Sequence, residues 1–282
     1  MESMKKRKLL IFLFKVIPKS FFSRLFGYFA RISLPSPVLK ALISWYVKKF
    51  NINMDEYAVP SGGFKNFDMF FTRGLKPGSR KISAIKGAIS SPVDARVDQS
   101  GKIKKGQLIQ AKGISYSIDS LIPSDTAKRF QNGSFVTLYL SPADYHRIHS
   151  PVSGKITGFF HIPGKLYSVQ EFMVQGLDGL FSINERLISY IQTAKGLTAV
   201  CKVGAMNVGR ISLSYDVTVT NKFIRSKKEF FFNEPIKVKS GDEIGAFHLG
   251  STIILLFEKD MAKLEVRPGE RVRFGQRIGQ ML

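Results

Sequence analysis

Residues 252–257 read TIILLF, six apolar or β-branched side chains in a row. Glu258-Lys259-Asp260 closes the run, and Gly250-Ser251 opens it. So short a run between turn residues reads as a core β-strand. Residues 134–140 (SFVTLYL) and 197–203 (LTAVCKV) are of the same kind. Turn phrases recur between such runs: Lys105-Gly106-Gln107, Ser240-Gly241-Asp242 and Pro268-Gly269-Glu270. Each sets a Gly before a returning apolar strand, as hairpins of small barrels and sandwiches do. The phrases make no strict repeat, and neither a dinucleotide fingerprint nor a P-loop is present. Residues 88–282 are therefore expected to form a β-rich, barrel- or sandwich-like domain in a chain of α+β class.

Upstream of this body the sequence changes character. Residues 1–50 hold eleven Lys and Arg and one acidic residue, Glu2, interleaved with Phe, Leu and Ile. The whole chain of 282 residues carries 43 Lys and Arg against 21 Asp and Glu, a net charge of +22, so almost half the excess lies in this segment. The apolar run from Leu9 to Phe14 is far shorter than the roughly 20 residues that span a bilayer. Lys15, Pro18 and Lys19 break it as a secretory signal. Two helices are expected instead. In one, from Ser20, the residues Ser20, Arg24, Gly27 and Arg31 recur at helical spacing among Phe21, Phe22, Leu25, Phe26, Tyr28, Phe29 and Ile32. The other starts with Ser36 as N-cap and Pro37 in the first turn. Wide apolar faces edged with Lys and Arg fit helices lying in a membrane interface, and packing on the protein's own core is the alternative. The charge so placed points to an anionic lipid surface, with nucleic acid demoted. Residues 51–87, with Gly62-Gly63, a helical phrase at Phe64, Phe67, Phe70 and Phe71, and a stop at Lys76-Pro77-Gly78-Ser79, read as a connector packed on the body. A hydrophobic fraction of 44% excludes a mainly disordered chain, and the lone Cys201 excludes an internal disulfide framework.

Four histidines are present. Two of them, His146 and His149, lie between Pro142 and Pro151 just after an expected strand. Acid–base groups, metal ligands and polar loop residues all remain open for the pair. No CxxC or HExxH accompanies it to complete a metal site. His161 receives no role, and His248 is a structural or supporting residue.

At this point the chain resembles the bacterial-type phosphatidylserine decarboxylase proenzymes. The matching phrases are FTR at 71–73, SPVD at 91–94, DYHRIH at 144–149, VGAMNVG at 203–209 and FHLGST at 247–252. Their joint occurrence in this order carries the resemblance. Many relatives have Gly after the SPVD aspartate, where this chain has Ala95.

The resemblance implies that an inactive precursor cuts itself between Gly250 and Ser251, giving a β chain of residues 1–250 and an α chain of 251–282. Ser251 would become a covalent pyruvoyl group, and no metal is implied. Asp94, His149 and Ser251 are implied as the self-processing triad, with His146 as proton donor in decarboxylation. A serine hydroxyl needs such an adjacent base, and an aspartate orients the base. The ketone formed would serve as the electron sink for departing CO2. Met206 and Phe247 are expected to pack the pocket. A homodimer is implied as well, with the two chains staying associated at the cytoplasmic face of the cell membrane, where phosphatidylserine lies. Two rivals remain: a noncatalytic β-barrel module tethered to the membrane, and a metal-dependent hydrolase using His146 and His149.

Overall fold

Two helices lead into the body, α1 (Lys19–Arg31) and α2 (Ser36–Phe50). The computed structural model describes residues 19–206, 210–221, 226–248 and 251–282, without the side chains of residues 19–22 and 24. The expectations for residues 1–18, for the side chains of Ser20, Phe21, Phe22 and Arg24, and for Asn207, Val208, Gly209, Leu249 and Gly250 lie outside what is described. Helix α1 turns much of its apolar surface outward: Leu25, Phe26, Tyr28 and Phe29 are exposed, while Ala30 is buried. Ser36 is already helical, and Pro35 takes the cap position with no side-chain hydrogen bond, one residue before the expected cap. Helix α2 ends at Asn51, which adopts the left-handed conformation (φ 49°) that Asn tolerates at a helix terminus. A third short helix, α3 (Phe67–Phe71), is capped by Asn66, whose side-chain oxygen accepts the Met69 amide proton at 2.9 Å.

The three helices meet in an aromatic cluster. Leu39, Ile52, Tyr57, Phe67, Phe70 and Phe71 bury their side chains together with Tyr145 and Phe274 of the body. Tyr46 packs its ring against Phe50, Phe67 and Phe70 at centroid distances of 4.5, 5.2 and 5.8 Å. Residues from the connector, from α2 and from the β-rich body thus share one core.

The body is built from strands β1 (Ala88–Ser90), β2 (Ala95–Lys102), β3 (Gln107–Ala111), β4 (Ile114–Ser117), β5 (Ser134–Leu140), β6 (Arg147–His149), β7 (Gly154–Ile162) and β8 (Arg186–Thr193). It continues with β9 (Gly196–Val203), β10 (Ile211–Leu213), β11 (Lys228–Val238), β12 (Glu243–Phe247), β13 (Ser251–Phe257), β14 (Ala262–Leu264), β15 (Arg271–Val272) and β16 (Arg277–Met281). Eight of them form one sheet in the order β11-β7-β8-β9-β13-β5-β2-β15. Smaller sheets, β1-β16-β14, β10-β12-β6 and β3-β4, surround it.

The TIILLF run is buried throughout in β13, hydrogen-bonded antiparallel to β5 on one side and β9 on the other. Side chains alternate across a strand. Ile253, Leu255 and Phe257 enter one core cluster with Val97, Leu138 and Val200. Ile254 and Leu256 enter the other, with Phe135, Ala199 and Cys201. A strand covered on both faces has no polar face, which is why its sequence does not alternate. The expected barrel is corrected here: the large sheet is open, with β11 and β15 as its edges. Closure depends on contact between strands distant in sequence, which no local pattern reveals.

Candidate active site

Ser251 is the first residue of β13 and pairs with Leu140, the last residue of β5. It is fully buried, and its hydroxyl has no hydrogen-bond partner among the described residues. A buried hydroxyl left unpaired costs stability and calls for a reason; Tyr116, Thr137, Thr198 and Thr252 share that state among the described residues, and Ser251 differs from them in facing a cavity. Ser251 lies on the wall of a cavity of about 780 Å³. Leu140, Ala205 and Met206 flank it from the body, and Phe67 and Phe71 enter from α3. Phe26 and Phe29 of α1 with Trp45 and Tyr46 of α2 complete the outer part. Lys49 is the sole charged side chain among the described lining residues.

The loop leaving β5 carries His146 and runs into β6, which ends at His149, and three successive carbonyls of the loop are held by side chains. The Tyr46 hydroxyl donates to Pro142 O at 3.1 Å, Arg73 donates to Ala143 O at 3.2 Å, and His146 Nδ1–H donates to Asp144 O at 2.7 Å. The Asp144 carboxylate accepts the Ser141 amide proton and a bond from Arg271. With Nδ1 carrying the proton, His146 Nε2 is an acceptor, and it is buried without a partner among the described residues. Its ring contacts Phe71 of the cavity wall at 4.2 Å. Burial pushes its pKa down to about 3 against the pull of the Asp144 carbonyl, and the Arg73 guanidinium adds to the fall.

His149 occupies a different setting. Its Nδ1–H donates to Gly241 O at 2.8 Å, and its Nε2 accepts from the Tyr145 hydroxyl at 3.0 Å. Its ring stacks on Phe274 at 3.8 Å. Gly241 is required here: its φ of +91° is a glycine conformation, and a Cβ would meet Ile82 at 2.0 Å. Burial lowers the His149 pKa. Asp94 accepts the Phe274 amide proton at 2.7 Å and a bond from Arg80 at 2.9 Å. Burial raises its pKa, opposed by the Phe274 amide and by Arg80. Ala95 begins β2 without positive φ, so no Gly is needed beside this aspartate.

Asp94 and His149 thus both contact Phe274, one at its backbone amide and the other at its ring, while His146 packs behind the cavity wall on Phe71 and is not itself among the lining residues. Among the described residues no hydrogen bond joins His149 to Asp94 or to Ser251. Met206 lines the cavity as expected, whereas Phe247 is buried in a core cluster. His161 bonds Glu185 at 2.9 Å within the interior. Both ring nitrogens of His149 are engaged, and no group of three or more His, Cys, Asp or Glu suited to a metal occurs among the described residues. Tyr46, Tyr145 and Phe274 escape the sequence reading. Tyr145 lies inside the DYHRIH phrase, but nothing local marks it as the partner of a histidine four residues on.

These features define a β-sheet protein with an enclosed serine beneath an apolar, helix-roofed cavity. Comparison with known sequences gives that class a family. Residues 67–280 match the profile described as phosphatidylserine decarboxylase. A phosphatidylserine decarboxylase proenzyme of Myxococcus xanthus is 42% identical over 270 residues, covering 95% of this chain and 96% of the relative. Proenzymes of the same name from Anaeromyxobacter sp. (40%, covering 96% and 98%) and Shewanella woodyi (41%, covering 95% and 97%) are similar over equal spans. The chain belongs to the phosphatidylserine decarboxylase family.

Proposed function

We infer that this chain is made as a proenzyme and, once processed, decarboxylates phosphatidylserine to phosphatidylethanolamine and CO2. The observation that carries the reading is Ser251: a buried hydroxyl without a partner among the described residues, at the start of a central strand, on the wall of an apolar cavity.

Self-cleavage falls between Gly250 and Ser251. The Ser251 hydroxyl attacks the Gly250 carbonyl carbon as His149 takes the hydroxyl proton, and the C–N bond breaks in favour of an ester. Loss of the Ser251 α-proton then expels the Gly250 carboxylate. Water enters and ammonia leaves, so that residue 251 ends as a pyruvoyl group. In the present conformation Tyr145 engages His149 Nε2, so base action requires that this contact be exchanged. Asp94 and His149 both contact Phe274, and the orienting role of Asp94 requires that it come to face the imidazole during processing.

The buried hydroxyl and the space beside it fit a pyruvoyl group at residue 251. That group supplies a ketone that takes up the electron pair left as CO2 departs. His146 is neutral, and its Nε2 has no partner among the described residues and can accept a proton. It takes the proton released by the substrate's ammonium and returns it to the α-carbon, acting first as base and then as acid. The Phe and Leu side chains of the cavity receive the lipid and exclude water.

The outward aromatic face of α1 and the exposed Trp45 support docking on an anionic lipid surface, at the cytoplasmic side of the cell membrane. No helix among the described residues is long and apolar enough to cross a membrane. The large sheet's edge strand β11, with Phe230 and Phe231 exposed, supports a homodimer.

The test is a lipid assay on the purified protein. Phosphatidylserine vesicles should yield phosphatidylethanolamine and CO2, and borohydride added with substrate should abolish turnover. Full turnover after that treatment contradicts the pyruvoyl assignment.

A further inference from the structure

A hydrogen-bonded carboxylate–imidazole–hydroxyl chain lies outside the site described above. Asp68 of α3 faces His248, whose Nδ1–H donates to the carboxylate oxygens at 2.8 and 3.0 Å. His248 Nε2 accepts from the Ser212 hydroxyl of β10 at 3.0 Å. The His248 amide donates to Arg210 O at 3.0 Å, a third tie on the same residue. The Asp68 and His248 side chains are each 15% exposed, so the pair is shielded from solvent. Ser212 sits within a paired strand opposite Ala246 and is absent from the wall of the Ser251 cavity. It therefore serves the imidazole and not a substrate.

We propose that Asp68, His248 and Ser212 form an anchor that positions the carbonyl side of the scissile peptide for self-cleavage. The inference rests on the cut falling between Gly250 and Ser251. His248 precedes Ser251 by three positions, so at most three Cα–Cα steps of about 3.8 Å separate two fixed points. The downstream point is fixed because Ser251 pairs with Leu140 in the central sheet. The upstream point is fixed by the three contacts of His248. Attack of a hydroxyl on its own preceding carbonyl needs the reacting atoms held at about 3–3.5 Å. A loose end on either side spreads the intervening residues over many unproductive geometries.

The anchor also links cleavage to the N-terminal helices. Asp68 stands on the same short helix as Phe67, Phe70 and Phe71, which pack with Leu39 of α2 and line or adjoin the cavity. The precursor therefore cuts efficiently only once α3 has docked. After the cut, Asp68 retains the new carboxyl end of the β chain beside the site. Asp68, His248 and Ser212 are positioning residues: their side chains bond one another, and among the described residues none of them bonds Ser251.

The experiment follows cleavage of freshly synthesised full-length precursor by intact mass over time. Asp68→Ala and His248→Ala should each slow cleavage about tenfold, with melting temperatures close to the parent. The double variant should be no slower than the slower single one, because both act through one contact. His248→Gln keeps a donor for Asp68 and should recover most of the rate, a rescue that a general packing role does not provide. Where Asp68→Ala proves unstable, the milder Ser212→Ala should slow cleavage about threefold. A parental rate in a folded Asp68 or His248 variant overturns the anchor, as does additive slowing in the double variant. The parent and Ser251→Ala run beside them: a parent that makes no cut before residue 251 refutes the processing site itself and is told apart from failure of the anchor.

Discussion

Tyr46 and Pro142 lie 96 positions apart, and the Tyr46 hydroxyl donates a hydrogen bond to the Pro142 carbonyl at 3.1 Å. The contact joins α2, which offers Trp45 to the surroundings, to the loop that holds His146. Arg73 and His146 itself hold the next two carbonyls. The loop is therefore set from the helical side as much as from the sheet. Replacing Tyr46 by Phe removes the hydroxyl and keeps the ring among Phe50, Phe67 and Phe70. A hydrogen bond of this kind contributes about 1 kcal/mol, so decarboxylation should fall about fivefold. The fall should appear in kcat, with self-cleavage intact, and steady-state kinetics on the processed enzyme read it out.

Trp45 is the only tryptophan of the chain and is 55% exposed. Lys49 sits over its ring at 4.6 Å. Docking of α2 on an anionic bilayer should therefore shift its emission to shorter wavelength. Vesicles containing phosphatidylserine should produce the shift at low salt and lose part of it at high salt, whereas purely zwitterionic vesicles should produce little. No shift on either surface argues against α2 as the docking element.

His146 and His149 sit in different environments, and their roles should separate. His146→Asn should leave most of the precursor cleaved while decarboxylation drops at least a hundredfold. Equal loss of cleavage and turnover in a folded variant contradicts the division. A pH effect accompanies it. The folded His146 pKa of about 3 lies below the ordinary 6.5, so the stability of the neutral ring is present above pH 6.5 and is lost as pH falls toward 3. Urea unfolding between pH 6.5 and 4 should show a weaker acid dependence in His146→Asn than in the parent.

Lys202 is buried inside β9 with no carboxylate partner among the described residues. Its ammonium donates to the Ser189 hydroxyl and, at 3.4 Å, to the carbonyls of Leu187 and Val200. Burial drives its pKa down from 10.5 to about 7. Between those values the unfolded chain holds a proton that the folded chain does not, so this residue makes stability rise with pH across that window. Lys202→Met should flatten the rise in denaturant midpoint between pH 7 and 10. It should also raise stability at neutral pH by removing a charge held without a partner of opposite sign.

Much of the core was legible because it is local. TIILLF announces a core strand, and the spacing of Phe67, Phe70 and Phe71 announces a short helix, though its Asn66 cap went unread. The positions of the cut and of the histidines came with the phrases FHLGST and DYHRIH. What escaped depends on contacts between distant segments. Whether the sheet closes is decided by β11 and β15, which lie at opposite ends of the strand order. The partners of Asp94 are Arg80 and the Phe274 amide, and those of His149 are Gly241 and Tyr145. No spacing rule predicts these in place of a direct Asp–His bond. Asp68 and Ser212 were invisible for the same reason, since each acquires meaning only through His248.

The measurement that bears most directly on the account is the intact mass of the purified protein and of Ser251→Ala. The parent should give two polypeptides, residues 1–250 and a smaller chain from residue 251 whose N-terminus is blocked as a pyruvoyl group. The variant should give one uncut chain of about 31.7 kDa. A parent that stays uncut yet decarboxylates phosphatidylserine, or a Ser251→Ala chain that still cleaves at this bond, contradicts it.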